Sequence, residues 1–295
     1  MNLPDMKRPS NQLAVFLFAM GTGIIVNSVI AALLMTTYSV EEITGNADMV
    51  RGLSLLSQIL VFLLPSLVLY ACMRKEQNDY LHLRGIPSCY NLTLTVLLMF
   101  LSIPFMSWIV SLNESVVLPE SMATIESWLR QTEEEMAQRS DMMLHTDSWS
   151  LLGINILVIA LCPAICEEIL FRGVLMNWLQ QVLKNKHVAV WLSAVIFSAC
   201  HMQFYGFVPR MFLGAAFGYL VVWTKSLWTS VIAHFINNLS VALVAFAYCR
   251  GRLSTSYNEP AVWESHWVAV VISLFDTIAL LYLLHMNNMR KTQDS

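Results

Sequence analysis

Long apolar runs separated by short polar segments dominate the chain. Runs long enough, or nearly long enough, to cross a bilayer as helices occupy residues 13–36, 53–73, 92–112, 150–182, 188–205, 208–223, 227–248 and 266–286. The pattern predicts an all-α fold, a polytopic transmembrane bundle of about eight helices. Because no internal repeat or low-complexity stretch divides the sequence, we expect a single integral membrane domain over residues 1–295.

Composition favours a membrane protein over a soluble one. Of the 295 residues, 57% are hydrophobic and only 13% are charged, whereas soluble domains carry about 25% charged residues. The lipid bilayer is therefore the expected environment. The net charge of −3 gives no basic surface for a nucleic-acid partner.

The charge of the connecting segments alternates along the chain. Basic residues lie in every second segment, namely Lys7, Arg8, Arg74, Lys75, Arg84, Lys184, Lys186, Lys225, Arg290 and Lys291. The longest of the alternate segments, 113–149, holds eight acidic residues against two arginines. The positive-inside rule then predicts cytoplasmic termini in a plasma (inner) membrane protein. Apolar residues within 113–149 indicate either an amphipathic helix that lies in the membrane interface or a loop that extends into solvent.

A few polar side chains interrupt the apolar runs. An ionisable residue at membrane depth costs about 2.5–3.5 kcal/mol on insertion scales, so each one is a candidate functional residue. They occur in three segments, "EEILFR" with Glu167, Glu168 and Arg172, "FSACH" with Phe197 and His201, and "HFINN" with His234 and Asn238. Asp276 and His285, in the last run, have no such companions.

Helical spacing separates two roles within the first segment. Glu168 and Arg172 are four residues apart on one helix face, in the favourable order for an ion pair. We expect each to compensate the charge of the other in a low-dielectric setting. Glu167 projects about 100° away from Glu168, so its carboxylate is left available for chemistry.

Depth along the helices brings the polar residues of three runs into one layer. Counted at about 1.5 Å per residue from the basic ends, Glu167 is about 25 Å deep, His201 about 22 Å, Asn238 about 20 Å and His234 about 14 Å. This layer lies nearer the acidic segment 113–149. It predicts a buried polar active site that activates water and stabilises an oxyanion. The same donors suit a three-ligand zinc site formed by Glu167, His201 and His234.

In this order, the three segments resemble the motifs of the CAAX protease and bacteriocin-processing (CPBP) family, which includes the type II CAAX prenyl endopeptidases. The motif-bearing core covers about residues 150–248. The resemblance implies an α-helical intramembrane endopeptidase. It also implies that Glu167, helped by His201, is the base that activates water.

The resemblance further implies roles for the other motif residues. His234 and Asn238 would stabilise the tetrahedral oxyanion. Structural support would come from Glu168 and Arg172, with Phe197 one helical turn before His201.

The resemblance allows more than one mechanism and substrate. The family is conventionally called a metalloprotease, so zinc is an expected cofactor, although the motif also suits a metal-free glutamate mechanism. The expected partner is a peptide or protein substrate, lipidated or not. The alternatives are a non-catalytic membrane scaffold or bacteriocin-immunity factor, and an ion or proton transporter. A scaffold predicts loss of a motif residue and a transporter predicts an inverted repeat, and the sequence shows neither.

Overall fold

The computed structural model describes residues 5–73, 79–253 and 266–293, with side chains up to residue 289. Throughout these residues the chain forms helices and their connections, which confirms the all-α prediction. The helices are α1 (Pro9–Leu34), α2 (Val40–Thr44), α3 (Ala47–Met73), α4 (Cys89–Leu101), α5 (Ile103–Glu114), α6 (Ala123–Leu144), α7 (Trp149–Leu183), α8 (Lys186–Ala199), α9 (Phe207–Thr224), α10 (Leu227–Cys249) and α11 (Trp267–Gln293).

Most of these helices have the length and composition of membrane spans. Within the described residues, six qualify on their own, namely α1, α3, α7, α9, α10 and α11. Helices α4 and α5 meet at a bend of 46° and qualify as a seventh span if taken together. The remaining predicted span, residues 188–205, corresponds to α8. This helix has 14 residues, or about 21 Å, and ends at Ala199 before the bilayer thickness of about 30 Å is reached.

Three wide turns with π-helical hydrogen bonding interrupt α3 and α7. They are Gln58–Leu63 in α3 and Ile156–Leu161 and Ile169–Leu175 in α7. The two wide turns of α7 flank Cys162–Glu168, the turn that carries both glutamates. Such turns are rare and occur frequently at functional sites because they redirect side chains locally.

Hydrogen bonds near the ends of the helices define a basic end of the bundle. Gln12 in α1 donates to Gln181 in α7, and Asn287 in α11 donates to Asn91 in α4. The predicted basic residues at this end are Lys7, Arg8, Arg84, Lys184, Lys186 and Lys225. Arg74 and Lys75, and the side chains of Arg290 and Lys291, lie outside the described residues. The start of α1 and the last turns of α11 thus share one end, as the charge pattern predicts.

The opposite end is acidic and is built around α6. Arg51 of α3 donates to the Met143 carbonyl and to Asn155, which ties the end of α6 to α3 and α7. Arg250, just after α10, donates to the Asp147 carbonyl. Within segment 113–149, residues Ala123–Leu144 form helix α6, and Leu144 is the one residue of this helix that is buried.

Helix α7 lies at the centre of the bundle. Every residue from Cys166 to Val174 is buried, and Phe171 and Leu170 pack in the largest apolar cluster. Helices α8 and α9 approach each other closely because Gly214 has no side chain; a Cβ there would lie 3.3 Å from the Cβ of Ala194. Close backbone approach at small residues is typical of helix packing in membranes.

Candidate active site

The predicted ion pair between Glu168 and Arg172 is present and fully buried. Arg172 Nη1 donates to Glu168 Oε1 at 2.8 Å, and the side chains are 1% and 0% exposed for Arg172 and Glu168, respectively. Arg172 Nη2 also donates to the Gly214 carbonyl at 3.0 Å, and its Cζ lies 4.5 Å from the centre of the Phe197 ring. The guanidinium therefore connects α7 to both α8 and α9.

The same carboxylate orients His234 of α10. The Nδ1 atom of His234 lies 2.9 Å from Glu168 Oε1, and its ring stacks on Phe217 with a centroid distance of 5.5 Å. Because a carboxylate accepts hydrogen bonds, Nδ1 carries the proton, and in the neutral ring the lone pair is at Nε2. Glu168 thus fixes both the position and the tautomer of His234.

Glu167 faces the other nitrogen of this imidazole. Glu167 Oε2 lies 3.9 Å from His234 Nε2, and Oε1 accepts a hydrogen bond of 2.7 Å from Gln58 Nε2. Glu167 is 7% exposed. As the spacing predicts, Glu167 is not the partner of Arg172, and its second oxygen is directed toward the histidine.

His201 lies next to these residues but outside a span. It occupies the turn after α8, where its Nδ1 donates to the Phe197 carbonyl at 2.9 Å. The Phe197 ring contacts both imidazoles, with centroid distances of 5.0 Å to His201 and 6.0 Å to His234. His201 and Glu167 are close enough for their charges to interact. The Phe197 ring therefore links the two histidines.

Asn238 is placed one helical turn beyond His234, as predicted, but its amide is engaged. Its Nδ2 donates to the Ile159 carbonyl in α7 at 3.2 Å, and its Oδ1 accepts from Asn237 at 3.1 Å. An amide nitrogen has two protons, so one remains for another acceptor. The structure thus places Asn238 on the same helix as His234, with its amide held against α7.

Helix α6 covers the turn that carries His201. Glu133 Oε1 accepts from Gln203 Nε2 at 3.1 Å, and its Oε2 accepts from the Tyr205 amide at 3.3 Å. On the same helix, hydrogen bonds from Arg130 and from the Leu118 amide hold the pKa of the Glu126 carboxyl below its usual value. The site therefore lies toward the acidic end of the bundle, as the depth count predicts.

Two polar contributors were not predicted. Gln58 lies in the apolar run 53–73, and Arg210 lies in the run 208–223. Both interrupt apolar sequence in the same way as the motif residues, and that interruption is the signal by which they could have been found. Asp276 and His285 lie in α11, where the His285 ring packs against Trp223 at 5.5 Å.

The predicted metal ligands are Glu167, His201 and His234. Among the residues that the structure describes, no three His, Cys, Asp or Glu side chains are grouped so that they could hold a metal ion. The side chains as placed do not form a three-ligand site, so zinc stays a prediction and the chemistry below includes no metal step.

Residues 149–240 match the family described as type II CAAX prenyl endopeptidase Rce1-like. This segment, about a third of the chain, is similar to that family. The Rce1-like segment runs from the start of α7 into α10 and includes every motif residue, from Glu167 to Asn238. The resemblance inferred from the three motifs is thereby confirmed.

A relative of the Rce1-like segment occurs in Bacillus subtilis (strain 168). The uncharacterized protein YpbD is 30% identical over 86 residues, which cover 28% of this chain and 41% of YpbD. The chain thus matches less than half of the length of that relative. No solved structure matches the chain.

Proposed function

We propose that this protein is an intramembrane endopeptidase in which Glu167 activates a water molecule for attack on a peptide carbonyl. The supporting observation is the position of Glu167, whose Oε2 lies 3.9 Å from His234 Nε2 while Oε1 is fixed by Gln58. The Rce1-like family supports peptide-bond hydrolysis at the level of the family. The peptide substrate, lipidated or not, is part of the proposal.

Proton transfer explains why a carboxylate free of the ion pair is useful. Glu167 takes a proton from water as the water oxygen attacks, and then gives that proton to the leaving amine. A positioned acid–base group contributes about 10²–10⁴-fold to such a reaction. His201, whose Nδ1 is committed to the Phe197 carbonyl, assists through Nε2, the nitrogen that can accept a proton from water.

The oxyanion requires donors rather than acceptors. His234 donates from Nε2 only when this nitrogen is protonated, and since Nδ1 also donates to Glu168, the ring is then an imidazolium. Glu168 Oε1, which also accepts from Arg172, lies 2.9 Å from Nδ1 and favours the charged ring. The second amide proton of Asn238 supplies another donor. We assign oxyanion stabilisation to His234 and Asn238 on this basis.

Orientation is proposed from charge. The basic end would face the cytoplasm of the plasma membrane and the acidic end with α6 would face outside. Because the turn that carries His201 lies under α6, water and substrate would then enter from the outer side.

Comparison of cellular peptides tests the activity without requiring an identified substrate. Membranes from cells that produce the wild type and from cells that produce Glu167→Gln are compared for new peptide termini by mass spectrometry. We expect a set of termini that requires Glu167. Identical sets in the two samples, with equal amounts of protein, would favour the non-catalytic scaffold.

A further inference from the structure

Arg210 is a partly buried cation beside the candidate active site, and the motifs do not include it. It lies in the first turns of α9, where Nη2 donates to Gln203 Oε1 at 2.9 Å. Nη1 is buried and has no hydrogen-bond partner among the described residues. One side of the guanidinium is thus anchored and the other has two N–H donors without an acceptor.

The charges of the candidate site act on Arg210. Its charge interacts with those of Glu167 and Glu133, and with that of His201. Both carboxylates are already engaged, since Glu133 binds Gln203 and the Tyr205 amide and Glu167 binds Gln58. Neither one satisfies Nη1.

Space for the guanidinium is provided by Gly206. A Cβ at this glycine would lie 2.8 Å from Arg210 Nη2 and 3.4 Å from Nη1. Gly206 has a φ of −101°, which other residues also adopt, so its backbone does not require glycine. The missing side chain leaves room for Arg210.

A guanidinium whose buried Nη1 donors have no acceptor is stabilised by an anion. Removing a charge from water is expensive unless it is paired and hydrogen-bonded, and a carboxylate forms strong charge-assisted hydrogen bonds with arginine. In a peptidase, the anion that enters and leaves this position with each turnover is on the substrate.

We infer that Arg210 is a specificity residue of this site and binds a carboxylate of the peptide substrate. This inference rests on the proposed function. The carboxylate belongs either to the C-terminus of the peptide or to an Asp or Glu side chain.

Binding to an inactive protein tests this inference separately from catalysis. Glu167→Gln protein in detergent is incubated with three random pentapeptide libraries, and retained peptides are quantified by mass spectrometry. The first library has a free C-terminus and no Asp or Glu, the second is the same with a C-terminal amide, and the third is amidated with one Glu. We expect either the first or the third to be retained about tenfold or more over the second.

The variants Arg210→Met and Gly206→Ala, made in the same background, should abolish this preference. The first removes the charge, whereas the second keeps the charge and displaces the guanidinium. Arg139→Met, at an exposed arginine of α6, is the matched control and should retain the preference. Folding of each variant is checked by size-exclusion chromatography and thermal unfolding.

The outcomes separate the two claims. Retention of the first library identifies a C-terminal carboxylate, and retention of the third identifies an acidic side chain. Equal retention of all libraries, retention of none, or a preference that survives Arg210→Met would overturn the inference. If the Arg210-dependent preference is present but the wild type hydrolyses no peptide, the proposed function fails and the carboxylate site stands.

Discussion

Glu167 and Glu168 are adjacent in the sequence but have different environments. Glu168 is enclosed by Arg172 and His234, whereas Glu167 contacts Gln58 and faces a histidine nitrogen. One carboxylate is thus committed to structure, and the other remains able to exchange a proton. The difference follows from the angle of about 100° between consecutive helical residues.

Arg172→Ala should destabilise the protein strongly. It leaves Glu168 buried without its cation, and breaking a buried ion pair in this way costs about 3–5 kcal/mol. Thermal unfolding in detergent should show a large loss of stability and a low yield of folded protein. The control Arg139→Ala removes an exposed arginine and should leave both unchanged. Equal stability of the two variants would contradict the structural role of the pair.

Prediction from sequence succeeded where residues interact along one helix. Glu168 and Arg172 are four residues apart, so their contact follows from helical geometry alone. Gln58 and Glu167 are separated by 109 positions, and only the packing of α3 on α7 brings them together. Arg210 reaches the site in the same way, through tertiary structure.

At the scale of the elements, α1 packs against the wide turn of α3 at a glycine. A Cβ at Gly23 would lie 2.0 Å from the Leu60 carbonyl oxygen, whereas a Cβ at Gly21 would meet nothing within 4 Å. The contact is with backbone, which cannot move aside as a flexible side chain can. Gly23 therefore determines how closely the two helices approach.

Gly23→Ala should separate α1 from α3 and lower the thermal stability. Gly21→Ala, two residues away on the same helix, is the matched control and should be neutral or stabilising by up to about 1 kcal/mol, because alanine favours helix over glycine. Differential scanning fluorimetry of both variants makes the comparison. A loss at Gly21→Ala as large as that at Gly23→Ala would contradict this packing.

Hydrophobicity predicted the existence of the helices better than their ends and interruptions. The run 188–205 continues past Ala199 because the turn after α8 contains Met202 and Phe204, which are as apolar as a span. Met202 has a φ of +56°, a left-handed conformation that could not be predicted from the sequence. The wide turns of α3 and α7 could not be predicted from hydrophobic periodicity either. Each inserts a residue into a stretch that is apolar throughout, so the pattern of apolar and polar positions does not change.

At the scale of the whole molecule, the two ends of the bundle differ in charge. We expect Arg139→Cys to react with a membrane-impermeant maleimide in intact cells, and Lys186→Cys to react only after permeabilisation. Both positions are exposed, and the six native cysteines are removed first. Labelling of position 186 alone from outside would reverse the topology and open the site to the cytosol.

Metal content distinguishes the two mechanisms that the motifs allow. A glutamate-driven reaction should survive complete removal of metal, whereas a zinc-dependent one should stop with a chelator and return with zinc. A zinc site would also give stoichiometric metal that is lost in His201→Ala or His234→Ala. Elemental analysis of purified protein, combined with turnover of a peptide identified in cells, makes this measurement.

The central claim is that Glu167 is the base of a peptide hydrolase. Its most direct test is turnover by purified wild type and Glu167→Gln, in nanodiscs, on a peptide identified in cells, with thermal unfolding as the check on folding. Glutamine keeps the volume and removes the base, so we expect turnover to fall by about 10²-fold or more with little change in stability. Wild-type turnover by a folded Glu167→Gln protein would contradict the assignment.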